Sequence, residues 1–321
     1  MKSFHDAAAR LRDWLERNFD ADGLCAIDPE DSRYYYKTPY LMTMAGMRSR
    51  GGRVARQIME KFVAEDGELK SAAAPPNRVY AMGWIALGAA AAERFDLAHL
   101  MADRLEHLQD ARCGGIVLAD EDAGEEVAEV CFSGGAGMAL AAVGRLQSAR
   151  LMCDTFRALI DEQEWAPCFY NRFRRDGSVL ARKAGGDWEM AYDLGEEEQR
   201  PANFATVVNA LVWTGRGLRQ PDYFAVARRY VDLVYRHRSN PAHFGRSTKF
   251  GWSMLNLYEE TGDPELLQRA LELGEVLAAR QSDDGLWNPQ PGNVSGGPAW
   301  SRLAYSADCA MTVCALANLK S

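Results

Sequence analysis

Six times along the chain, a charged amphipathic stretch is followed by a glycine-containing turn and then by a segment of small and apolar residues. The turns contain Asp22-Gly23, Asp66-Gly67, Gly114-Gly115, Asp176-Gly177, Phe244-Gly245 and Asp284-Gly285. A period of about 40 to 70 residues with two helices in each unit is typical of repeat proteins, whose units bury their apolar faces against neighbouring units. The pattern therefore predicts an array of helical hairpins.

We predict twelve helices, in which a charged outer helix precedes each apolar inner helix. The outer helices are expected at Phe4–Asn18, Arg53–Glu65, Leu97–Gln109, Leu151–Gln163, Phe224–Arg238 and Pro264–Gln281. The inner helices are expected to begin near Thr38, Arg78, Cys131, Asn203, Phe250 and Tyr305. The inner segments are apolar around most of the helix, which is typical of helices buried on several sides. The predicted fold class is all-α, an (α/α)6 barrel of six inner helices inside six outer helices.

Two short segments, 115–118 and 176–180, have strand-like sequences and are expected to form β-ribbons at one rim of the barrel. The longest stretch without helical periodicity is Pro167–Arg200, which is rich in aromatic and acidic residues. Long loops in compact domains are often functional, although this one could instead cap one end of the ring. Because the repeats follow one another without a linker, we expect a single domain over residues 1–321.

Composition limits the partners. The net charge of −8 argues against nucleic acid, which would require a basic face. No apolar run is long enough to cross a bilayer, no apolar signal core follows the N-terminus, and the seven cysteines have no CxxC spacing. These features predict a cytoplasmic protein without membrane insertion that binds a small-molecule substrate. They leave the oligomeric state open.

No cofactor is expected, because neither a GxGxxG motif before a strand nor a GxxxxGK[ST] motif occurs in the sequence. No metal is expected either. Four of the five histidines lie on predicted outer helices, at positions 5, 99, 107 and 237, and so form no zinc constellation. A divalent ion bound at the acidic loop is the alternative.

One motif resembles a known family. Gln281-Ser-Asp-Asp-Gly-Leu-Trp287 resembles the QxxDGxW motif of triterpene cyclases and their α/α-toroid relatives, and Gln109-Asp-Ala-Arg-Cys-Gly-Gly115 looks like a looser copy. Segment 251–265 is similar in style to six-hairpin carbohydrate enzymes, which include unsaturated glucuronyl hydrolases and sugar 2-epimerases. The resemblance implies an α/α toroid over essentially the whole chain and an enzyme acting in its centre.

The sequence also departs from these families. Class II terpene cyclases have a DxDDTA motif, whereas Tyr305-Ser-Ala-Asp308-Cys-Ala310 keeps only the last acid of it. Linalool dehydratase-isomerase, another toroid of this kind, has catalytic cysteines, which directs attention to Cys131 and Cys168.

In such a ring the N-termini of all inner helices lie at one face, so residues near these ends meet in space although they are scattered in sequence. The predicted substrate-binding residues are Tyr36, Lys37, Tyr40, Arg78, Tyr80, Trp84, Trp188, Arg200, Asn203, Lys249, Trp252, Trp287 and Tyr305. The predicted catalytic residues are Asp308, Asp187, Glu189, Asp193, His243 and Cys131. This aromatic set of mixed charge is typical of an enzyme pocket.

The catalytic candidates each have a structural alternative. Asp308 lies in an apolar inner helix, where burial would raise its pKa and make it a general acid; it could instead be a hydrogen-bonded strut. The acids of segment 187–193 could act as a carboxylate pair on a sugar or belong to a solvated loop. Cys131 could be a thiolate stabilised by the helix dipole or a buried thiol. His243 could be a base or an ordinary turn residue.

Lys37 and Arg78 could bind a substrate anion or pair with acids at the rim. Taken together, these residues indicate an enzyme with carbohydrate-type acid–base chemistry: a hydrolase, a lyase or an epimerase. The first alternative is an isoprenoid-type cyclase or dehydratase-isomerase, in which aromatic faces stabilise a carbocation and Asp308 donates the proton. The second alternative is a non-catalytic repeat scaffold, which would expose a large apolar patch.

Overall fold

A computed structural model describes residues 3–70, 75–120, 125–181, 191–289 and 299–319. Twelve α-helices lie within these ranges. They are α1 Phe4–Asn18, α2 Thr38–Met44, α3 Arg48–Gln57, α4 Pro75–Ala91, α5 Phe95–Leu108, α6 Val130–Ala142, α7 Leu146–Gln163, α8 Ala202–Leu218, α9 Asp222–Tyr235, α10 Phe250–Thr261, α11 Pro264–Arg280 and α12 Ala299–Ala317. No described helix is both long and apolar enough to span a membrane.

The six even-numbered helices form a closed inner ring. Each contacts the next in chain order, and α12 returns to contact α2. Each outer helix from α3 to α11 packs against the inner helix before it, and α1 packs against α12. The predicted arrangement of six inner and six outer helices is therefore confirmed, as is the predicted span of the first outer helix.

The apolar inner helices approach one another closely. Ten residues of α6 are buried, on all sides of the helix. A Cβ atom at Gly134 would lie 2.7 Å from Thr206 Oγ1 of α8, which is closer than side chains approach one another. Glycine in this helix therefore lets two inner helices come together, which offsets its low helix propensity.

Four of the turn glycines, at positions 23, 67, 114 and 285, lie close to a neighbouring outer helix. Gly285 has a φ of +97°, and a Cβ atom there would overlap the carbonyl oxygen of Arg10 in α1. Gln281 spans the same turn, because its amide nitrogen donates to the Gly285 carbonyl at 2.8 Å and to the Ala7 carbonyl at 2.9 Å. This turn closes the ring, since it joins the last hairpin to the first helix.

Gln109 repeats this arrangement. Its amide nitrogen donates to the carbonyls of Gly114 at 2.8 Å and Ser148 at 2.9 Å. The two glutamines that carry the family resemblance thus have the same structural role in two repeats. The motif specifies how a turn docks on its neighbour.

Short strands lie at one rim. The strands are β1 Val117–Asp120, β2 Glu125–Glu129, β3 Cys168–Tyr170, β4 Arg172–Arg174 and β5 Ala191–Asp193. β1, β2 and β4 form an antiparallel sheet in that order, and β3 pairs with β5. The first predicted ribbon is present. The second is also present, because residues 178–180 turn back and pair with β4: Val179 bridges Phe173, and the Leu180 amide donates to the Arg172 carbonyl at 2.9 Å.

Candidate functional site

Three charged side chains meet at the centre of the ring. Lys37 Nζ lies 2.7 Å from Asp308 Oδ1, and Lys249 Nζ lies 3.4 Å from Asp308 Oδ2. The lysine side chains are only 6% and 4% exposed, and that of Asp308 is 15% exposed. Lys37 precedes α2, Lys249 precedes α10, and Asp308 lies within α12. The sequence predicted all three, and the structure brings them together.

Thr312 fixes the position of Lys249 relative to Asp308. Thr312 lies one helical turn after Asp308 and therefore on the same face of α12. Its hydroxyl accepts a hydrogen bond from the Trp252 amide at 2.9 Å and donates one to the Thr248 carbonyl at 2.8 Å. Thr248 has a φ of +22°, which residues other than glycine rarely adopt. The start of α10 is thus held against α12, with Lys249 beside the carboxylate.

Asp308 is ionised. Burial alone would raise the pKa of this carboxyl, but the charges of Lys249 and Lys37, together with their hydrogen bonds, outweigh burial and lower the pKa below its ordinary value. The expectation of a raised pKa was therefore wrong, because the sequence did not show that two lysines from distant repeats face this residue. A carboxylate held in this form has no proton to donate.

Aromatic rings surround the two ammonium groups. Lys37 Nζ lies 5.5, 5.1 and 5.4 Å from the ring centroids of Tyr36, Tyr80 and Trp84, distances that allow cation–π attraction. The Tyr80 hydroxyl lies 3.3 Å from Lys249 Nζ. Burial, and next the Asp308 charge, raise the pKa of Tyr80 well above its ordinary value, so this phenol stays protonated.

Further rings form a floor below this cluster. Trp84 packs against Tyr40 at 6.1 Å and against Trp252 at 6.3 Å between centroids, and Trp213 lies 5.7 Å from Trp252. Tyr40, Trp84 and Trp252 were predicted and are brought together here. Trp213 was missed because it lies deep within α8, well beyond the first turn on which the prediction relied.

Cys131 lies beside this cluster as a thiol. Burial, and next the charge of Glu129, raise the pKa of Cys131 to about 12, whereas Lys249 and Arg200 act in the opposite direction. Of the two readings of Cys131, the raised pKa favours the buried thiol, because desolvation exceeds the effects of Lys249 and Arg200.

Glu129 was missed by the sequence prediction. Its side chain caps α6, because a carboxylate oxygen accepts a hydrogen bond from the Cys131 amide at 3.2 Å. It ends β2, a strand that the sequence analysis did not predict, so no helical pattern placed it at the mouth of the ring. An acidic residue directly before an apolar helix would have been the signal to use.

None of the contacts described for Trp287, a predicted substrate-binding residue, reaches the Lys37–Asp308–Lys249 cluster, whose surroundings we call the well. Trp287 is 1% exposed, and its indole nitrogen donates to the Leu277 carbonyl of α11 at 2.7 Å. Its backbone amide donates to the Ser306 hydroxyl at 2.8 Å. The last residue of the family-like motif is therefore a core residue between α11 and α12.

Three predicted residues lie nearer the rim. The Tyr305 hydroxyl donates to the Gly245 carbonyl at 2.6 Å. The His243 side chain is exposed, and none of the contacts described for it reaches Asp308. An Asp193 carboxylate oxygen accepts the Gly195 amide at 2.8 Å within its own turn. Their roles in binding or catalysis stay predictions.

Arg78, Arg200 and Asn203 lie at or just before the first turns of inner helices, as predicted, with Asn203 buried and both arginines partly buried. Asp187, Trp188 and Glu189 fall outside the described residues. Among the residues that are described, no group of three His, Cys, Asp or Glu side chains is arranged to hold a metal ion.

No protein-family model matches the sequence, and no curated protein matches it. Solved structures do resemble it. A GH76 α-mannanase from Bacteroides thetaiotaomicron has a TM-score of 0.69 at 13% identity, with 98% of this chain and 96% of that chain covered. A heparin-specific unsaturated glucuronyl hydrolase has a TM-score of 0.63 at 11% identity, covering 98% and 95%. A type II terpene cyclase from Scytonema has a TM-score of 0.59 at 15% identity, covering 98% and 97%. The fold is therefore that of the (α/α)6 toroids.

Proposed function

We propose that this protein is an enzyme that acts on a small carbohydrate-type molecule by acid–base chemistry in the well around Asp308. The observation that carries the proposal is the buried Lys37–Asp308–Lys249 cluster beneath the mouth of a closed ring. Buried charges are costly to a fold, and a cluster of them in a central well is typical of a functional site. The GH76 mannanase and the glucuronyl hydrolase, which share this fold, have names that denote carbohydrate hydrolysis.

The geometry supports distinct roles for the cluster. Asp308 is a carboxylate and serves as the base or as the group that stabilises positive charge in the transition state. The ammonium of Lys249 and the phenol of Tyr80 supply protons or polarise a substrate oxygen. Glu129, at the start of α6, is the candidate second carboxylate that glycoside hydrolysis would require.

The alternative is isoprenoid-type chemistry. The aromatic floor of Tyr40, Trp84, Trp213 and Trp252 favours it, because ring faces stabilise carbocations. Against it, Asp308 is ionised and so does not supply the initiating proton, and two nearby ammonium groups repel a cation. A non-catalytic scaffold is the weakest candidate, since it gives no reason to bury three charges.

We further propose that the 321 residues act as one domain in a reducing compartment such as the cytoplasm. All seven cysteines are free thiols, and all except Cys168 are buried. Disulfides are rare where thiols are kept reduced.

The test is a substrate screen with a matched pair of variants. Proton NMR in deuterium oxide would follow aldoses, disaccharides and unsaturated uronides, because it reports bond cleavage, elimination and exchange of carbon-bound hydrogen. Asp308→Asn should lower kcat by about 100-fold or more, with folding verified by circular dichroism. The control is Asp161→Asn, which removes an exposed carboxylate from outer helix α7. Full activity of Asp308→Asn would remove Asp308 from the mechanism.

A further inference from the structure

The central cluster carries one more positive charge than negative. Lys37 and Lys249 share a single carboxylate, and these are the only ion pairs that either lysine makes among the described residues. Another acid, Glu129 at the start of an inner helix, uses a carboxylate oxygen to cap α6. A buried charge without its own counter-charge is unfavourable unless something else pairs with it.

Lys249 is the less satisfied of the two lysines. An ammonium has three N–H donors, and charge-assisted hydrogen bonds are about 2.7 to 2.9 Å long. Lys37 makes such a bond with Asp308 at 2.7 Å and also donates to the Ala304 carbonyl at 3.3 Å. The two contacts of Lys249, to Tyr80 at 3.3 Å and Asp308 at 3.4 Å, are both long.

We propose that the molecule bound in this well carries one oxyanion, either a carboxylate or a phosphate, and that Lys249 binds it while Lys37 stays paired with Asp308. Binding of one negative charge would make the cluster neutral. The N-terminus of the twelve-residue helix α10, which begins directly after Lys249, adds a favourable positive potential. The inference rests on the proposed function in one respect, that the ligand is a sugar-sized molecule.

Asp308 has a role in this arrangement that a general acid would not have. It neutralises Lys37 and leaves Lys249 as the group with excess charge. The tyrosine and tryptophan rings around the lysines supply no counter-charge, so selectivity between an anionic and a neutral sugar depends on one ammonium group. A substitution that removes this group should change selectivity without abolishing contact with the sugar ring.

Isothermal titration calorimetry with four probes tests the proposal: sodium glucuronate, glucose 6-phosphate, glucose and inorganic phosphate. We expect one of the two anionic sugars to bind at least about tenfold more tightly than glucose, and the comparison between them separates carboxylate from phosphate. Lys249→Met should weaken that anion by about 10- to 100-fold and weaken glucose by less than about threefold. Lys61→Met, which removes a surface lysine paired with Glu30, should change neither.

Equal or tighter binding of glucose would overturn the proposal, as would an undiminished affinity of Lys249→Met for the anion. Absence of binding by both anionic sugars at their highest soluble concentrations would overturn it too. If Lys249→Met does not fold, the shift in the melting temperature of the unmodified protein is measured with each probe. Equal shifts with anionic and neutral sugars would overturn the proposal. Selective anion binding without turnover would instead contradict the proposed function alone.

Discussion

Replacing Asp308 with asparagine should destabilise the fold more than replacing Lys249 with methionine, and more than removing an exposed carboxylate. The substitution keeps the shape of the side chain but leaves Lys37 and Lys249 buried without a counter-charge. Breaking a buried ion pair by removing one partner costs about 3 to 5 kcal/mol. Asparagine can still accept one hydrogen bond from Lys37, so we expect the lower end, about 3 kcal/mol. This is a large part of the roughly 5 to 15 kcal/mol that stabilises a typical domain.

Lys249→Met provides the internal comparison. After that substitution Lys37 and Asp308 remain as a neutral pair at 2.7 Å and a buried excess charge is removed, so the loss should be at most about 1 kcal/mol. Urea unfolding at neutral pH, followed by circular dichroism, would give both values. Asp161→Asn, whose carboxylate is 56% exposed, should stay within about 0.5 kcal/mol of the unmodified protein.

The pH dependence of the stability difference provides the most direct test. The pKa of Asp308 is lowered in the folded state, so its contribution to stability is present above its ordinary value of 3.8 and is lost as the pH falls through the lowered folded pKa. The stability difference between the unmodified protein and Asp308→Asn should therefore be flat between about pH 5 and 8. A difference that already declines near neutral pH, or that never exceeds the Lys249→Met value, would show that Asp308 is not held as a carboxylate by two lysines.

Two further predictions concern a turn and a thiol. Gly285→Ala should destabilise the protein by about 2 to 4 kcal/mol in urea unfolding, because φ is +97° and the added methyl group meets the Arg10 carbonyl. Gly177→Ala is the matched control, since Gly177 also has a positive φ but open space around it, and it should cost only about 1 kcal/mol; equal losses would mean that the turn does not dock on α1. Burial raises the pKa of Cys131 to about 12, so iodoacetamide at pH 8 should modify the partly exposed Cys168 and leave Cys131 unmodified, as measured by mass spectrometry. Rapid alkylation of native Cys131 would contradict that account.

Much of the site was predictable because it lies at helix starts. Lys37 and Lys249 directly precede inner helices and Tyr80 lies in the second turn of α4, and the repeat alone indicated that such positions meet. Asp308 lies in the middle of α12, because the described part of this helix begins at Ala299 and not near Tyr305 as predicted; it was predicted as the acid in an apolar segment. Residues outside that rule were missed. Trp213 lies deep within α8, and Glu129 ends a strand that only its pairing with β1 and β4 defines.

The family-like motif concerns the opposite case, a residue that was predicted to bind substrate although its described contacts lie in the core. Trp287 follows a turn before an inner helix, so its position in sequence is similar to those of Lys37 and Lys249. Its indole nevertheless points to the Leu277 carbonyl between two helices. Sequence position places a backbone segment at the mouth of the ring, but the direction of one side chain depends on which neighbour offers a hydrogen-bond partner.

The sequence by itself determined the architecture, since helical periodicity and turn glycines are local properties that each repeat encodes independently. It also determined which side chains were available at the mouth of the ring. Only the tertiary structure decided their chemical states. Asp308 is ionised and Cys131 is a neutral thiol because a pKa depends on burial and on charges brought within a few ångströms from repeats distant in sequence, and no local pattern records those distances.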